Sequence, residues 1–143
     1  MTDPYLIWAA QYPEAARALR AITVPPPPPP GQGSEQRVQS AVRLEAARKG
    51  YRLWRNNKGA GSILDPRSGR TSFLRWGLAN DSKAVSDTWA SADLIGWSPT
   101  GQFVSVELKA EKGRVAQAQE NWAALVRAGG GMALIINREG MLP

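Results

Sequence analysis

The stretch at residues 102–110, QFVSVELKA, constrains the fold of this chain more than any other segment. Side chains on a strand alternate between faces, so Val104, Val106 and Leu108 make one wholly apolar face, while Phe103, Ser105, Glu107 and Lys109 share the other. An apolar face of that kind must be covered by other elements. A carboxylate and an ammonium group then stand on the opposite face, about 7 Å apart along the strand.

The covering elements are legible in the flanks. Asp93 precedes the apolar run at 94–97, and Ser98, Pro99, Thr100 and Gly101 form a turn into the strand at 102–110, which predicts a hairpin. Residues 115–128 predict an amphipathic helix with the stripe Val115, Ala118, Gln119, Trp122, Leu125 and Val126, stopped by three glycines at 129–131. The wholly apolar run at 132–136 is the pattern of a buried strand. Upstream, Ser34 is a good cap for a helix running to Lys49, with Gly50 as its stop and Glu35, Val38, Gln39, Val42 and Ala46 in its stripe. Residues 51–55 alternate as a strand, and Asn56 to Gly59 read as a turn. From 59 to 91 the chain is rich in Gly, Ser, Asp and Arg, and reads as long loops with one short strand at 72–76. The stretch GAGSILDPRSGRTS lacks the glycine spacing of a phosphate loop and has Arg70 where that motif needs Lys. The order of elements describes an α/β layer fold with a mixed sheet flanked by helices.

Six consecutive prolines at 25–30 divide the chain. They form a stiff polyproline spacer of roughly 19 Å, at about 3.1 Å per residue. Residues 1–33 are therefore expected to be a helical arm and linker, with a helix interrupted at Pro13, and residues 34–143 the folded domain. The prolines lack flanking basic residues in register for an SH3-like partner, so the linker reading leads and a protein partner for the arm is the second reading. At 143 residues without an internal repeat, one domain plus an appendage is what the length supports. With no apolar run of membrane-spanning length and no signal-like start, the expected location is the cytoplasm.

The chain contains neither Cys nor His. That excludes disulfides, thiol nucleophiles, zinc clusters and every His general base, and leaves carboxylates, Lys, hydroxyls or a metal held by oxygen. Mg²⁺ or Mn²⁺ are the cations such an inventory accepts. Net charge is +6, and the excess sits at residues 36–90, where eleven basic side chains face four acidic ones. A basic segment interleaved with Trp54, Trp76 and Trp89 suits a nucleic-acid backbone.

Two features argue that Glu107 and Lys109 are more than the solvated face of an edge strand. Asp93 enters the partner strand of the hairpin, where its carboxylate reaches the Glu107 face, and Gln119, Glu35 and Gln39 lie in otherwise apolar helix stripes. Buried polar groups need partners, because each unsatisfied one costs about 1–3 kcal/mol. Asp93 and Glu107, with the backbone carbonyl of Leu108, suit a divalent cation at a phosphodiester, and Lys109 suits the orientation of water or the charge that builds on phosphorus. Arg55, Lys58, Arg75, Lys112 and Arg114 are candidate phosphate contacts around this centre.

The segments SADLIG, FVSVELKAEKGRVAQAQENW and GGGMALII, with SEQRVQSAVRLEAARKGYRLWRNNKGAG upstream, resemble the VRR-NUC branch of the PD-(D/E)XK nucleases, in particular its small stand-alone phage members. The likeness covers roughly residues 34 to 137, and departs in having Ala92 where a Pro precedes the Asp. The resemblance implies a restriction-endonuclease-like αβββαβ core and a site of Glu35, Asp93, Glu107, Lys109 and Gln119. It also implies a homodimer acting on structured DNA such as branched junctions. The competing reading is an adaptor with the same fold that binds nucleic acid without cutting it. An inactive relative is expected to have lost a ligand or the Lys, and this chain keeps them.

Overall fold

The computed structural model describes residues 4–23 and 34–143. The proline spacer at 25–30 and the Ser34 side chain, read above as a helix cap, lie outside what is described. Two short helices, α1 (Pro4–Gln11) and α2 (Pro13–Thr23), come first, divided at Pro13 as its ring requires. The remaining elements are α3 (Ser34–Arg48), β1 (Arg52–Arg55), β2 (Gly59–Leu64), β3 (Thr71–Trp76), α4 (Lys83–Thr88), β4 (Leu94–Trp97), β5 (Phe103–Leu108), α5 (Gln117–Ala128) and β6 (Met132–Ile136).

A four-stranded mixed sheet of order β1-β4-β5-β6 organises the domain. β1, β4 and β5 run antiparallel, with Leu53 opposite Gly96 and Leu94 opposite Val106, and β6 lies parallel to β5 after the α5 crossover. β5 is central and buried on both faces from Val104 to Leu108, as its alternation predicts for a strand with helices on either side. On one face Leu53, Leu94, Val104, Val106, Leu108 and Ile136 pack with Val42 and Ala46 of α3 and with Leu142. On the other, Trp122, Ala123 and Val126 of α5 pack with Ala92 and Ala133. The Trp122 indole N–H donates to Ser105 Oγ at 2.8 Å, so the one small polar residue under α5 is paired and not stranded.

The C-terminal residues close the α3 side. Lys49 bridges Glu45 and the Leu142 carbonyl, and the Gly140 amide donates to the other Glu45 oxygen at 3.0 Å. These bonds hold Leu142 in the core, where it is 2% exposed. The N-terminal helices pack back on the sheet at β1, where the Arg52 guanidinium lies 3.8 Å from the centre of the Tyr5 ring.

Two expectations from sequence need correction. Residues 59–91 are not long loops with one strand: they hold the antiparallel ribbon β2–β3 and the helix α4. The ribbon buries neither face, so it carries no hydrophobic alternation to be read. Its base is instead held by the Asn80 side chain, whose Nδ2 donates to the carbonyls of Gly59 and Trp76 at 2.7 and 2.8 Å. Leu125, placed in the buried stripe of α5, is 49% exposed, and Ala123 takes the inward position. At 100° per residue Ala123 and Leu125 lie about 80° to either side of the Trp122–Val126 centre, so the spacing does not choose between them and the seating of α5 on the sheet does.

Gly96 is where β1 approaches β4 most closely: a Cβ there would stand 1.7 Å from the Arg52 carbonyl oxygen. Gly96→Ala is expected to push β1 off the sheet and cost about 1–3 kcal/mol, in the range of other overpacked cores. Urea denaturation followed by far-UV circular dichroism measures this, and an unchanged midpoint overturns it.

Candidate active site

Asp93 immediately precedes β4, and the register that sets Leu94 opposite Val106 places it opposite Glu107 on the α5 face of the sheet. Asp93 Oδ2 accepts from the Leu108 amide at 2.9 Å. In extended chain the carbonyl of a residue points to the same edge as its N–H, so the Leu108 carbonyl points to the Asp93 side as well. Glu107 is 7% exposed. Its Oε1 accepts from Lys109 Nζ at 3.0 Å and from Gln119 Nε2 at 2.5 Å. Gln119 is itself oriented, because its Oε1 accepts from the Ala116 amide at 2.9 Å and so turns its NH₂ toward Glu107. The first turn of α5 thus positions the amide that holds the carboxylate.

Electrostatics follow from that packing. Burial pushes the Glu107 carboxyl above the usual carboxylate range, and the Asp93 charge raises it further, against the opposing pull of Lys109 and Lys58. Two carboxylates brought close enough for their charges to interact are a hard-oxygen donor pair that a small divalent cation satisfies. Among the described residues no third Asp or Glu gathers with them. A cation such as Mg²⁺ is commonly held by one or two carboxylates and keeps several waters, so the donor set fits it.

Asp93, Glu107, Leu108, Lys109 and Gln119 are therefore brought together. Glu35 is not: it is exposed in the first turn of α3, the helix that covers the opposite face of the sheet. Gln39, in the same stripe, is partly buried. Of the basic residues, Lys58 stands nearest, its Nζ donating to the Ser91 carbonyl two residues before Asp93 while its charge acts on Glu107. Arg55 is exposed at the end of β1, Arg75 donates to Asn80 Oδ1 at 3.2 Å, and Lys112 and Arg114 are exposed on the loop between β5 and α5.

Sequence reasoning missed the clamp behind Asp93. The Asn56 side chain donates to Ser91 Oγ at 2.8 Å and to the Ala92 carbonyl at 2.9 Å, while its amide donates to the Asp93 carbonyl at 2.8 Å. Ser91, 1% exposed, passes the connection on to the Leu78 carbonyl at 2.5 Å. Gly77 lies directly on Lys58: its φ is +96°, and a Cβ there would stand 2.4 Å from that of Lys58. An Asn-Asn-Lys-Gly string reads locally as a turn, and nothing in it signals partners more than thirty residues away.

The family model that describes the VRR-NUC domain matches residues 33–137, most of the chain. The chain belongs to the VRR-NUC family. It is a nuclease, and every residue of the Asp93–Glu107–Lys109–Gln119 cluster falls within the matched span. No curated protein and no solved structure matches the chain.

Burial of Glu107 in this nuclease has a consequence for stability. Because its folded-state pKa lies above its unfolded one, the contribution of Glu107 to stability is fullest at acid pH and is lost as pH rises through the folded value. Glu107→Gln, which keeps a hydrogen-bond acceptor and removes the charge, is expected to raise the melting temperature at neutral pH without divalent cations by a few degrees. The gain should vanish as pH falls through the ordinary carboxylate range. A variant that melts at or below wild type at neutral pH overturns this account of the site.

Proposed function

We propose that the protein hydrolyses DNA phosphodiester bonds using Mg²⁺ or Mn²⁺ held at Asp93 and Glu107. The observation that carries the reading is the pair of carboxylates in register on one buried face, with Lys109 Nζ at 3.0 Å from Glu107. The Leu108 carbonyl, turned to the same edge, is the third donor, and Glu35 at the start of α3 is the further carboxylate the family resemblance enlists. When bound, the cation supplies positive charge against a non-bridging phosphate oxygen and acidifies a water.

The chain's own groups do the rest. Lys109, 20% exposed at its side chain, presents its ammonium group where it orients the attacking water or offsets the charge that builds on phosphorus. Gln119 keeps the Glu107 carboxylate aimed by holding Oε1, and the Asn56 clamp keeps Asp93 at its register. Lys58, whose charge acts on Glu107, with Arg55, Arg75, Lys112 and Arg114, are the candidates for the flanking phosphates. The element order α3–β1–β4–β5–α5–β6, helix, three strands, helix, strand, supports a PD-(D/E)XK core with the β2–β3 ribbon and α4 inserted. On the family resemblance the substrate is structured or branched DNA, the working form is a homodimer, and the setting is phage replication, recombination or repair in a bacterial cytoplasm. The N-terminal arm is the natural place for a protein partner. No helix among the described residues is long and apolar enough to cross a membrane.

The test separates chemistry from binding. Glu107→Ala and Lys109→Ala are each expected to lower Mg²⁺- or Mn²⁺-dependent cleavage by about a hundredfold or more. DNA affinity should survive in both, because phosphate contacts spread over the basic residues supply it. In Ca²⁺ the wild type should bind without cutting. Wild-type protein that binds DNA but cleaves no linear, flapped, nicked or four-way substrate in Mg²⁺ or Mn²⁺ sinks the catalytic reading and leaves the adaptor.

A further inference from the structure

The β2–β3 ribbon exposes large apolar side chains in a row. Ile63, Leu74 and Trp76 are 52%, 46% and 48% exposed. Register places all three on one face, with Gly59 opposite Trp76, Gly61 opposite Leu74 and Ile63 opposite Ser72. The two glycines have a purpose there. A Cβ on Gly59 would meet Trp76 Cζ2 at 2.6 Å, and one on Gly61 would meet Cη2 at 3.6 Å. The indole therefore lies across the bare backbone of β2, occupying the space of two absent side chains. Glycine weakens a strand interior, so its presence twice under one ring signals a seat made for that ring.

With one side of the ring on the glycines and about half its surface exposed, its other side is open to solvent. The opposite face is also apolar, with Leu64 and Phe73 exposed, but its ring is already met by a cation, the Arg75 guanidinium 5.5 Å from the centre of Phe73, and no glycine seat lies under it. The Trp76 seat also adjoins the catalytic centre. Gly59 follows Lys58, whose ammonium acts on Glu107, Gly77 rests on Lys58, and Asn80 ties both strands at this end.

Charge identifies the occupant. The ribbon and its tip carry Arg67, Arg70 and Arg75 against Asp65 alone. The Asp65 carboxylate is taken up in the tip turn by the Arg67 amide and Ser68 Oγ, at 2.9 and 2.6 Å. A second copy of the ribbon would bring arginines against arginines, whereas a polyanion with flat apolar rings answers both features. We infer that Trp76 is a stacking platform for an unpaired base beside the scissile phosphate, so that this nuclease takes DNA with unpaired nucleotides at the cut. Bases inside a duplex present no face to such a ring, and only an unpaired or displaced one can lie on it. Arg67 and Arg70 then follow the backbone of the same strand.

This inference rests on the DNA-cleaving reading above, and its test keeps the two apart. Affinity is measured by fluorescence anisotropy in Ca²⁺, with full-length protein, for an unpaired oligonucleotide and for the same sequence as a blunt duplex. Wild type should favour the unpaired strand. Trp76→Ala should lose roughly five- to 150-fold for that strand and less than about twofold for the duplex, the range expected of one base–aromatic stack. Trp76→Leu, which keeps apolar bulk over the glycines in case the smaller residue does not fold, should show the same selective loss, and Trp76→Phe should retain most of the affinity. Equal affinity of wild type for the two forms, or equal losses on both in the variants, overturns the platform while leaving cleavage to be judged by Glu107 and Lys109. A selective loss in a protein that cuts nothing in Mg²⁺ supports the platform and removes the nuclease reading. No binding of either DNA by wild type overturns both.

Discussion

Holding the Glu107 carboxylate out of water on a central strand is costly, and most of the arrangement around the site offsets that cost. An ionised carboxyl in such a place needs hydrogen bonds and a nearby positive charge, or it takes up a proton instead. Gln119, turned by the Ala116 amide, supplies the hydrogen bond, and Lys109 supplies the charge. Asp93 works the other way. Its carboxylate, fixed by the Leu108 amide on the same face, raises the energy of an ionised Glu107 still further. A site that brings like charges together and buries one of them is less stable for its own sake than a neutral one. That tension is the usual mark of a centre built for a cation and an anionic substrate.

The rest of the fold serves that pair. α5 is seated by Trp122 on Ser105, which fixes the helix along β5 and so sets where Gln119 arrives. β4 meets β1 at Gly96 with no room for a side chain, and its pairing with β5 on the other edge keeps Asp93 in register with Glu107. Behind Asp93, the bonds from Asn56 to Ser91 and Ala92, and from Ser91 to Leu78, join the entry of β4 to the base of the β2–β3 ribbon. Ribbon and site therefore form one mechanical unit. An element that handles substrate is coupled to the carboxylates through a few short-range polar contacts and Lys58.

The same residues explain why the ribbon departs from the rest of the domain in composition. The four-stranded sheet packs a core on each face, whereas the ribbon stands on Asn80 and a tip turn organised by Asp65. A two-stranded ribbon is marginal in water by itself. It persists here because its base is tied down at both strands.

Local periodicity was enough to place β4, β5, α5 and β6, and with them Asp93, Glu107, Lys109 and Gln119, because strand alternation and helical spacing are properties of neighbouring residues. The absence of Cys and His narrowed the chemistry before any contact was known. What only the tertiary structure decided is carried by pairs distant in the chain. The ribbon has no buried face to imprint a pattern, so β3 is legible at 72–76 but its partner β2 is not. Asn56 reads locally as a turn residue because its partners, Ser91 and Ala92, lie far along the chain. Leu125 was assigned inward because an apolar residue on the rim of a helical arc is indistinguishable, in sequence, from one at its centre. Glu35 shares a stripe with Val38 and Val42, yet its place at the exposed end of a helix on the far face is a matter of how layers stack, which spacing along one helix cannot encode.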